Sequence, residues 1–211
     1  MNKLHYPTTY LVWDLETSGL EKETCKILEI GCATVHDGQI VERNSWVLNH
    51  GIEIPANITE ITGITAELVA AEGKDPKQAM TEFLDILLSN QEGAHLTHNG
   101  MRFDIEWLAY HVAKTFGWTV GQHKEFIDQL YRNAIDTAVF VKAGKLDMPR
   151  RWNETFKDWA DRVMNTFAKG VKYNVAICCE ELGVDRAGIT QHRALGDVEL
   201  THEIYKKLLN A

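Results

Sequence analysis

The sequence predicts an α/β protein with a mixed sheet, in which an antiparallel meander is extended by parallel strands and covered by helices. Apolar, β-prone runs at residues 10–14 and 27–36 open the chain. The Asp-Gly pair at 37–38 is a strong hairpin signal and leads to a returning strand over 39–49. From Pro76 onward, short apolar runs alternate with helical patterns, which favours parallel strands connected by helices.

The rest of the chain carries the remaining predicted elements. They are a helix over residues 76–89, a short strand over 94–97, a helix over 104–116, a short strand over 134–137, and helices over 154–167, 174–182 and 194–209. Gly183 suits the C-cap of the helix that precedes it. No Pro/Gly/Ser-rich linker divides the chain, so we expect a single domain over residues 1–211, with an extended helical segment at about 145–172.

Composition narrows the class of protein. The 45% apolar and 25% charged residues are typical of a soluble globular chain. The longest apolar stretches are far too short to cross a membrane, and residues 1–7 lack the apolar run of a secretory signal. The four cysteines form neither a CxxC pair nor a zinc-finger spacing. We therefore expect a cytoplasmic protein with reduced thiols and no membrane partner.

The charge is unevenly distributed along the chain. The net charge of −8 argues against a sequence-independent duplex binder, unless bound cations reverse the sign locally. Residues 142–172, however, carry eight basic and four acidic side chains. This segment is either a weak basic face for a polyanion or an ordinary solvated helical surface, and the sequence supports both interpretations.

Two acidic residues end the first predicted strand. Asp14 and Glu16 are two positions apart, so both point to one face of a strand. Two carboxylates held close repel each other unless a cation lies between them, although a strand end that simply meets solvent would show the same pattern. The small residues that follow, at 17–19, would let a ligand approach the backbone.

Two further segments carry polar groups at helix starts. Asp104 opens a predicted helix, where an acid also serves as an ordinary cap. Asp197 lies in the first turns of the last helix, five residues after His192, which by itself would most often be a surface histidine. Together the segments supply hard oxygen ligands, the type that Mg²⁺ and Mn²⁺ prefer, and one titratable imidazole.

In order and spacing, these segments resemble the DnaQ-like 3′→5′ exonucleases of the ribonuclease H-like superfamily, in the subclass with a histidine in its third motif. The three motifs are matched by residues 12–20 (VWDLETSGL), residues 98–104 (HNGMRFD) and residues 192–197 (HRALGD). Residues 27–31, 61–65 and 135–137 also resemble family segments. The resemblance implies a ribonuclease H-like mixed sheet of five strands, flanked by helices.

The resemblance also implies the chemistry. Two divalent cations, Mg²⁺ or Mn²⁺, would be bound by Asp14, Glu16, Asp104 and Asp197, and His192 would take a proton from the attacking water. The substrate-binding residues that it implies, or that their position suggests, are Leu15, Thr17, Leu20 and Asn99. The substrate would be the 3′ end of single-stranded DNA, cut to 5′-mononucleotides in repair, replication or proofreading.

The resemblance leaves several alternatives to consider. An exoribonuclease or oligoribonuclease acting on RNA would carry the same catalytic set, and a non-catalytic binding subunit of a polymerase assembly would have lost at least one of the acids. A polymerase or a second copy of the chain are candidate partners. The sequence departs from the family pattern in three places, namely one extra residue between Asn99 and Phe103, Val198 in place of alanine, and the long helical segment at about 145–172.

Overall fold

Strands and helices follow the predicted order in the computed structural model, which describes residues 7–89, 93–190 and 192–210. The elements are β1 (Tyr10–Thr17), β2 (Ile27–His36), β3 (Gln39–Val47), α1 (Ala56–Thr62), α2 (Ala66–Glu72), α3 (Pro76–Ser89), β4 (Ala94–Thr97), α4 (Asp104–Phe116), α5 (Val120–Asn133), β5 (Ala134–Asp136), α6 (Thr137–Leu146), α7 (Phe156–Asn165), α8 (Val175–Leu182) and α9 (Ala194–Leu209). The stretch considered for a secretory signal lies, up to residue 6, outside these residues.

The strands form one mixed sheet in the order β3-β2-β1-β4-β5. β1 pairs antiparallel with β2 and β2 with β3, whereas β4 runs parallel to both β1 and β5. This confirms the predicted meander extended by parallel strands. Because β1, β4 and β5 run in the same direction, the loops that follow them all lie at the carboxyl end of these strands.

Both faces of the sheet are covered, as the continuous apolar run of β1 requires. Leu11 and Trp13 pack with α3 and α4 on one face. Tyr10 and Val12 point to the other face and pack against Val198 and other apolar residues of α9. No helix in the described ranges combines the length and apolar composition needed to cross a bilayer.

The start of α9 lies directly on β2. A Cβ atom at Gly31 would come 2.6 Å from the carbonyl carbon of Ala194, a distance that real Cβ atoms do not show. Gly31 is also the antiparallel partner of Asp14 in β1. Glycine at this position therefore lets the backbone of α9 approach the sheet beside Asp14.

Several bounds differ from the prediction. β1 extends beyond residue 14 to Thr17, and only Phe156–Asn165 is helical in the middle of the segment at about 145–172. The sequence also did not predict α1, α5 and α6, whereas residues 61–65 resemble a family turn before a helix, and α2 follows them. α1 has only seven residues and α5 buries only Phe126 and Leu130, so each offers few apolar positions from which to predict a helix.

The close contact at Gly31 leads to a stability prediction. Gly31→Ala should lower the free energy of unfolding by about 1–3 kcal/mol, because the added methyl group meets backbone atoms that cannot move aside. Gly144→Ala in α6 is the matched control, since a Cβ there meets nothing within 4 Å and helix propensity should raise stability by up to ~1 kcal/mol. Urea denaturation measures both, and equal stability of the two variants would contradict the contact.

Candidate active site

Three carboxylates converge where β1 ends beside α9. Asp14 and Glu16 project from β1, and Asp197 lies in the first turn of α9. One oxygen from each residue lies within 4.8 Å of the others. Hard oxygen ligands at this spacing suit a divalent cation such as Mg²⁺ or Mn²⁺.

Burial makes this cluster unfavourable when it is ionised. Burial raises the pKa of Asp14 well above its usual value, and the charges of Asp104 and Glu16 raise it further. Burial, followed by the charge of Asp197, raises the pKa of Glu16 to about 8. Burial likewise raises the pKa of Asp197, although the backbone N–H of His192 opposes the shift. A bound cation would remove this penalty, so the donor set fits a metal.

Asp104 adjoins the cluster without being one of the three mutually close carboxylates. It is buried at the first residue of α4, and its carboxylate accepts a hydrogen bond from the backbone of Leu15. Burial raises its pKa to about 7, and the charges of Asp136 and Asp197 add to the shift. Asp104 is also the charged neighbour that raises the pKa of Asp14 most. The structure therefore brings the fourth predicted acid to the same end of β1.

His192 lies at the mouth of the site. It is exposed, and its backbone is left-handed with φ of 59°. Its backbone N–H donates to Asp197 Oδ2 at 3.0 Å, which ties the loop to the acid. A cleft of about 420 Å³ is lined by His192, Asp14 and Asp197, together with Asn99 and further residues from the second motif and the start of α8.

The other predicted contact residues surround the cluster in different ways. Leu15 is buried, and the Thr17 hydroxyl donates to the Gly19 carbonyl oxygen at 2.7 Å. Leu20 is 81% exposed, which leaves its side chain accessible to a ligand. Asn99, the remaining predicted contact residue, is the one that lines the cleft itself.

Glu29 fixes the start of α9, a role that the sequence did not reveal. Its side chain is 1% exposed and accepts from Arg193 Nε and Nη2, both at 2.9 Å, and from the Ala194 N–H at 3.2 Å. Arg193 is the N-cap residue and makes no side-chain capping bond of its own. Glu29 therefore caps α9 from a distant strand and holds the chain between His192 and Asp197 in place.

Asp136 has a corresponding role for the second motif. This buried acid at the end of β5 accepts from the backbone N–H groups of Asn99 at 2.8 Å, Met101 at 3.1 Å and Ala138 at 2.9 Å. Asn99 is left-handed, with φ of 65°. The neighbouring His98 donates through Nε2 to the Tyr173 carbonyl oxygen at 2.7 Å. The sequence signal was present, because residues 135–137 resemble a family segment, but it implied no such role.

Comparison with known families shows to which family the chain belongs. The exonuclease family model RNase_T matches residues 11–135, which is more than half of the chain. The chain belongs to this exonuclease family. It is a DnaQ-like member, among the 3′→5′ exonucleases, which are hydrolases of the ribonuclease H-like superfamily.

Individual relatives extend the comparison. A DNA polymerase III subunit epsilon from Aquifex aeolicus is 24% identical over 95% of this chain and 80% of its own length. A DNA polymerase III PolC-type protein from Thermotoga petrophila is 26% identical over 95% of this chain. This chain spans only 12% of that protein.

Solved structures show the same fold. E. coli exonuclease I in complex with a dA16 oligonucleotide has a TM-score of 0.72 over 97% of this chain and 41% of its own chain, at 17% identity.

The tertiary cap of α9 predicts an effect on cation affinity. Glu29→Gln removes the charge that pairs with Arg193, so Asp197 should move away from the other carboxylates of the cluster. Mn²⁺ affinity should then fall about 10- to 100-fold. Titration calorimetry measures the affinity. Glu199→Gln is the control, because its pair with Arg43 is partly exposed on the same helix and should contribute less than ~1 kcal/mol. Equal affinity in both variants would show that Glu29 does not position the site.

The raised pKa values predict how stability depends on pH without metal. The folded-state pKa values of about 8 for Glu16 and about 7 for Asp104 lie above the usual values of 4.5 and 3.8. The folded protein thus keeps protons that the unfolded chain has released, and stability should fall as pH rises through this window. Melting temperature in a chelator should be lower at about pH 8 than at about pH 5, and Mg²⁺ should restore it. A melting temperature that rises over this window would contradict the shifts.

Proposed function

We propose that this chain is a metal-dependent exonuclease that removes 5′-mononucleotides from the 3′ end of single-stranded DNA, and that it forms a single domain. The carboxylate cluster, with a histidine at the mouth of its cleft, is the observation that carries the proposal. The exposed histidine and the desolvated acids lie side by side on one open cleft, where a strand end can reach both. The E. coli exonuclease I structure with a dA16 oligonucleotide supports DNA as the substrate.

The four acids have separate roles in the proposal. Asp14, Glu16 and Asp197 would hold the divalent cations directly, and Asp104 would complete the set from the start of α4. Bound divalent cations supply Lewis acidity and lower the pKa of a coordinated water. The cluster lies at one end of β1 because two of its acids belong to that strand.

His192 takes the proton of the attacking water in this proposal. Its exposure lets the imidazole exchange protons with solvent after each cycle. The bond from its backbone N–H to Asp197 holds the imidazole next to the cluster. His192 and Asp197 also line the same cleft, which supports a close approach of the two side chains. General-base assistance of this kind contributes about 10²- to 10⁴-fold to a rate.

The terminal nucleotide would meet the loop after β1 and the second motif. Thr17 and the backbone near Leu15 are proposed to contact the 3′-hydroxyl, and Asn99 to position a phosphate or Asp104. Leu20 would pack on the last base, and its large exposed side chain supports this role. Apolar packing of this kind tolerates any base, so we do not expect sequence preference.

A role in proofreading is the second proposal. The subunit epsilon and PolC-type relatives are named as parts of DNA polymerase III. The epsilon relative is matched over 80% of its own length, which favours association of this chain with a polymerase. Whether RNA is also cut is decided by direct comparison of the two strands.

End-labelled DNA and RNA strands of about nine nucleotides test the proposal. With Mg²⁺ or Mn²⁺, DNA should be shortened from its 3′ end with release of 5′-mononucleotides. Asp14→Asn should lower kcat by roughly a thousandfold or more, and His192→Ala by about 10²- to 10⁴-fold with a smaller change in strand affinity. Asp85→Asn, an exposed acid on α3, is the control for purity. Wild-type turnover in Asp14→Asn would refute the site, and faster cutting of RNA would reassign the substrate.

A further inference from the structure

A short loop after α7, residues 166–172, borders the proposed active site and has no role so far. Its sequence is Thr-Phe-Ala-Lys-Gly-Val-Lys, with two lysines and no acid. The loop has defined local structure, because the Val171 N–H donates to the Ala168 carbonyl oxygen at 3.3 Å and Gly170 is left-handed with φ of 83°. The loop therefore has a defined backbone conformation.

Both ends of the loop are tied to the second motif. At one end, the carbonyl oxygen of buried Met164 accepts from Arg102 Nη1 at 3.0 Å and from Lys142 Nζ at 2.9 Å. At the other end, the carbonyl oxygen of Tyr173 accepts from His98 Nε2 at 2.7 Å. His98 and Tyr173 both line the cleft, so the loop ends, at Lys172, directly beside the rim of the cleft.

Three side chains of the loop are exposed to solvent. Phe167 is 90% exposed and makes no ring contact with any other residue in the described ranges. Lys169 and Lys172 are exposed and form no ion pair within residues 7–89, 93–190 and 192–210. An exposed aromatic ring beside unpaired lysines is the combination that binds single-stranded nucleic acid, through stacking and phosphate contacts.

We propose that Phe167, Lys169 and Lys172 form a binding subsite for the part of a single strand that lies 5′ of the terminal nucleotide. Phe167 stacks on a base, and the two lysines bind phosphates. The inference rests on the proposed function, because the strand must end in the adjacent cleft. It also explains how an acidic protein holds a polyanion, since the segment 142–172 has eight basic and four acidic residues.

Trp152 provides a matched control for Phe167. It is 97% exposed and belongs to the same basic segment. It lies two residues from Arg150, which lines a groove with the first residues of β4 and β5, Ala94 and Ala134. The first residues of β4 and β5 lie at the opposite end of the sheet from the cleft. A DNA strand whose 3′ end lies in the cleft should therefore not need Trp152.

Two substrates separate this subsite from the active site. The p-nitrophenyl ester of thymidine 5′-monophosphate contains only the terminal nucleotide, whereas a DNA strand of about twelve nucleotides also reaches the loop. In Phe167→Ala, the ratio of kcat/KM for the strand to kcat/KM for the ester should fall about tenfold, through KM. Phe167→Trp should keep the wild-type ratio, because the larger ring still stacks. Trp152→Ala should also keep it.

The lysines are tested by salt dependence. Strand affinity is measured by fluorescence anisotropy in an Asp14→Asn background, so that the probe is not cut. Lys169→Gln combined with Lys172→Gln should reduce the slope of log affinity against log salt by about 1.4, because each phosphate that a lysine no longer neutralises accounts for about 0.7. Lys124→Gln, an exposed lysine on α5, should leave the slope as it is.

The outcomes distinguish failure of the proposed subsite from failure of the proposed function. An unchanged ratio in Phe167→Ala, or an equal loss in Trp152→Ala, overturns the subsite even if both substrates are hydrolysed. An unchanged salt slope in the double lysine variant overturns the phosphate contacts. If the wild-type protein hydrolyses neither substrate, the proposed function itself fails.

Discussion

The structure depends on one electrostatic constraint, the crowding of carboxylates at the end of β1. Asp14 and Glu16 share a face of the strand, and Asp197 approaches them from α9 so that oxygens of all three lie within 4.8 Å. Burial and mutual repulsion raise the pKa values of these acids, so keeping them together destabilises the folded state. A cluster this unfavourable is kept in place by the packing around it, and a divalent cation is the ligand that would relieve it.

Two further buried acids hold that packing in place. Glu29 and Asp136 bind backbone N–H groups near the third and second motifs, at the start of α9 and in the loop after β4. Both segments contain a left-handed residue next to the site, His192 in one and Asn99 in the other. The acids near the site thus divide into those that face the cleft and those that fix the backbone. The second group turns irregular loops into rigid supports for the first.

Acidic overall charge and nucleic-acid binding are compatible in this architecture. Four of the acids lie where cations would reverse the local charge, while the loop after α7 carries two lysines and no acid. A strand would meet cations at its scissile end and lysines further along. The PolC-type relative is much longer than this chain, which spans 12% of its length.

The sequence by itself determined the strongly patterned elements, and its motifs predicted the chemistry. β2, α4 and α9 have the predicted bounds, because β2 is a continuous β-prone run and the buried residues of α4 and α9 recur at helical spacing. The three motifs, each ambiguous alone, predicted the acids and His192 because their order and spacing together resemble a known family. Helix α5, which buries only two residues, offered few apolar positions from which to predict it. Only the tertiary structure decided the roles of Glu29 and Asp136, whose partners lie 164 and 37 positions away along the chain, since hydrogen bonds over such separations leave no local pattern.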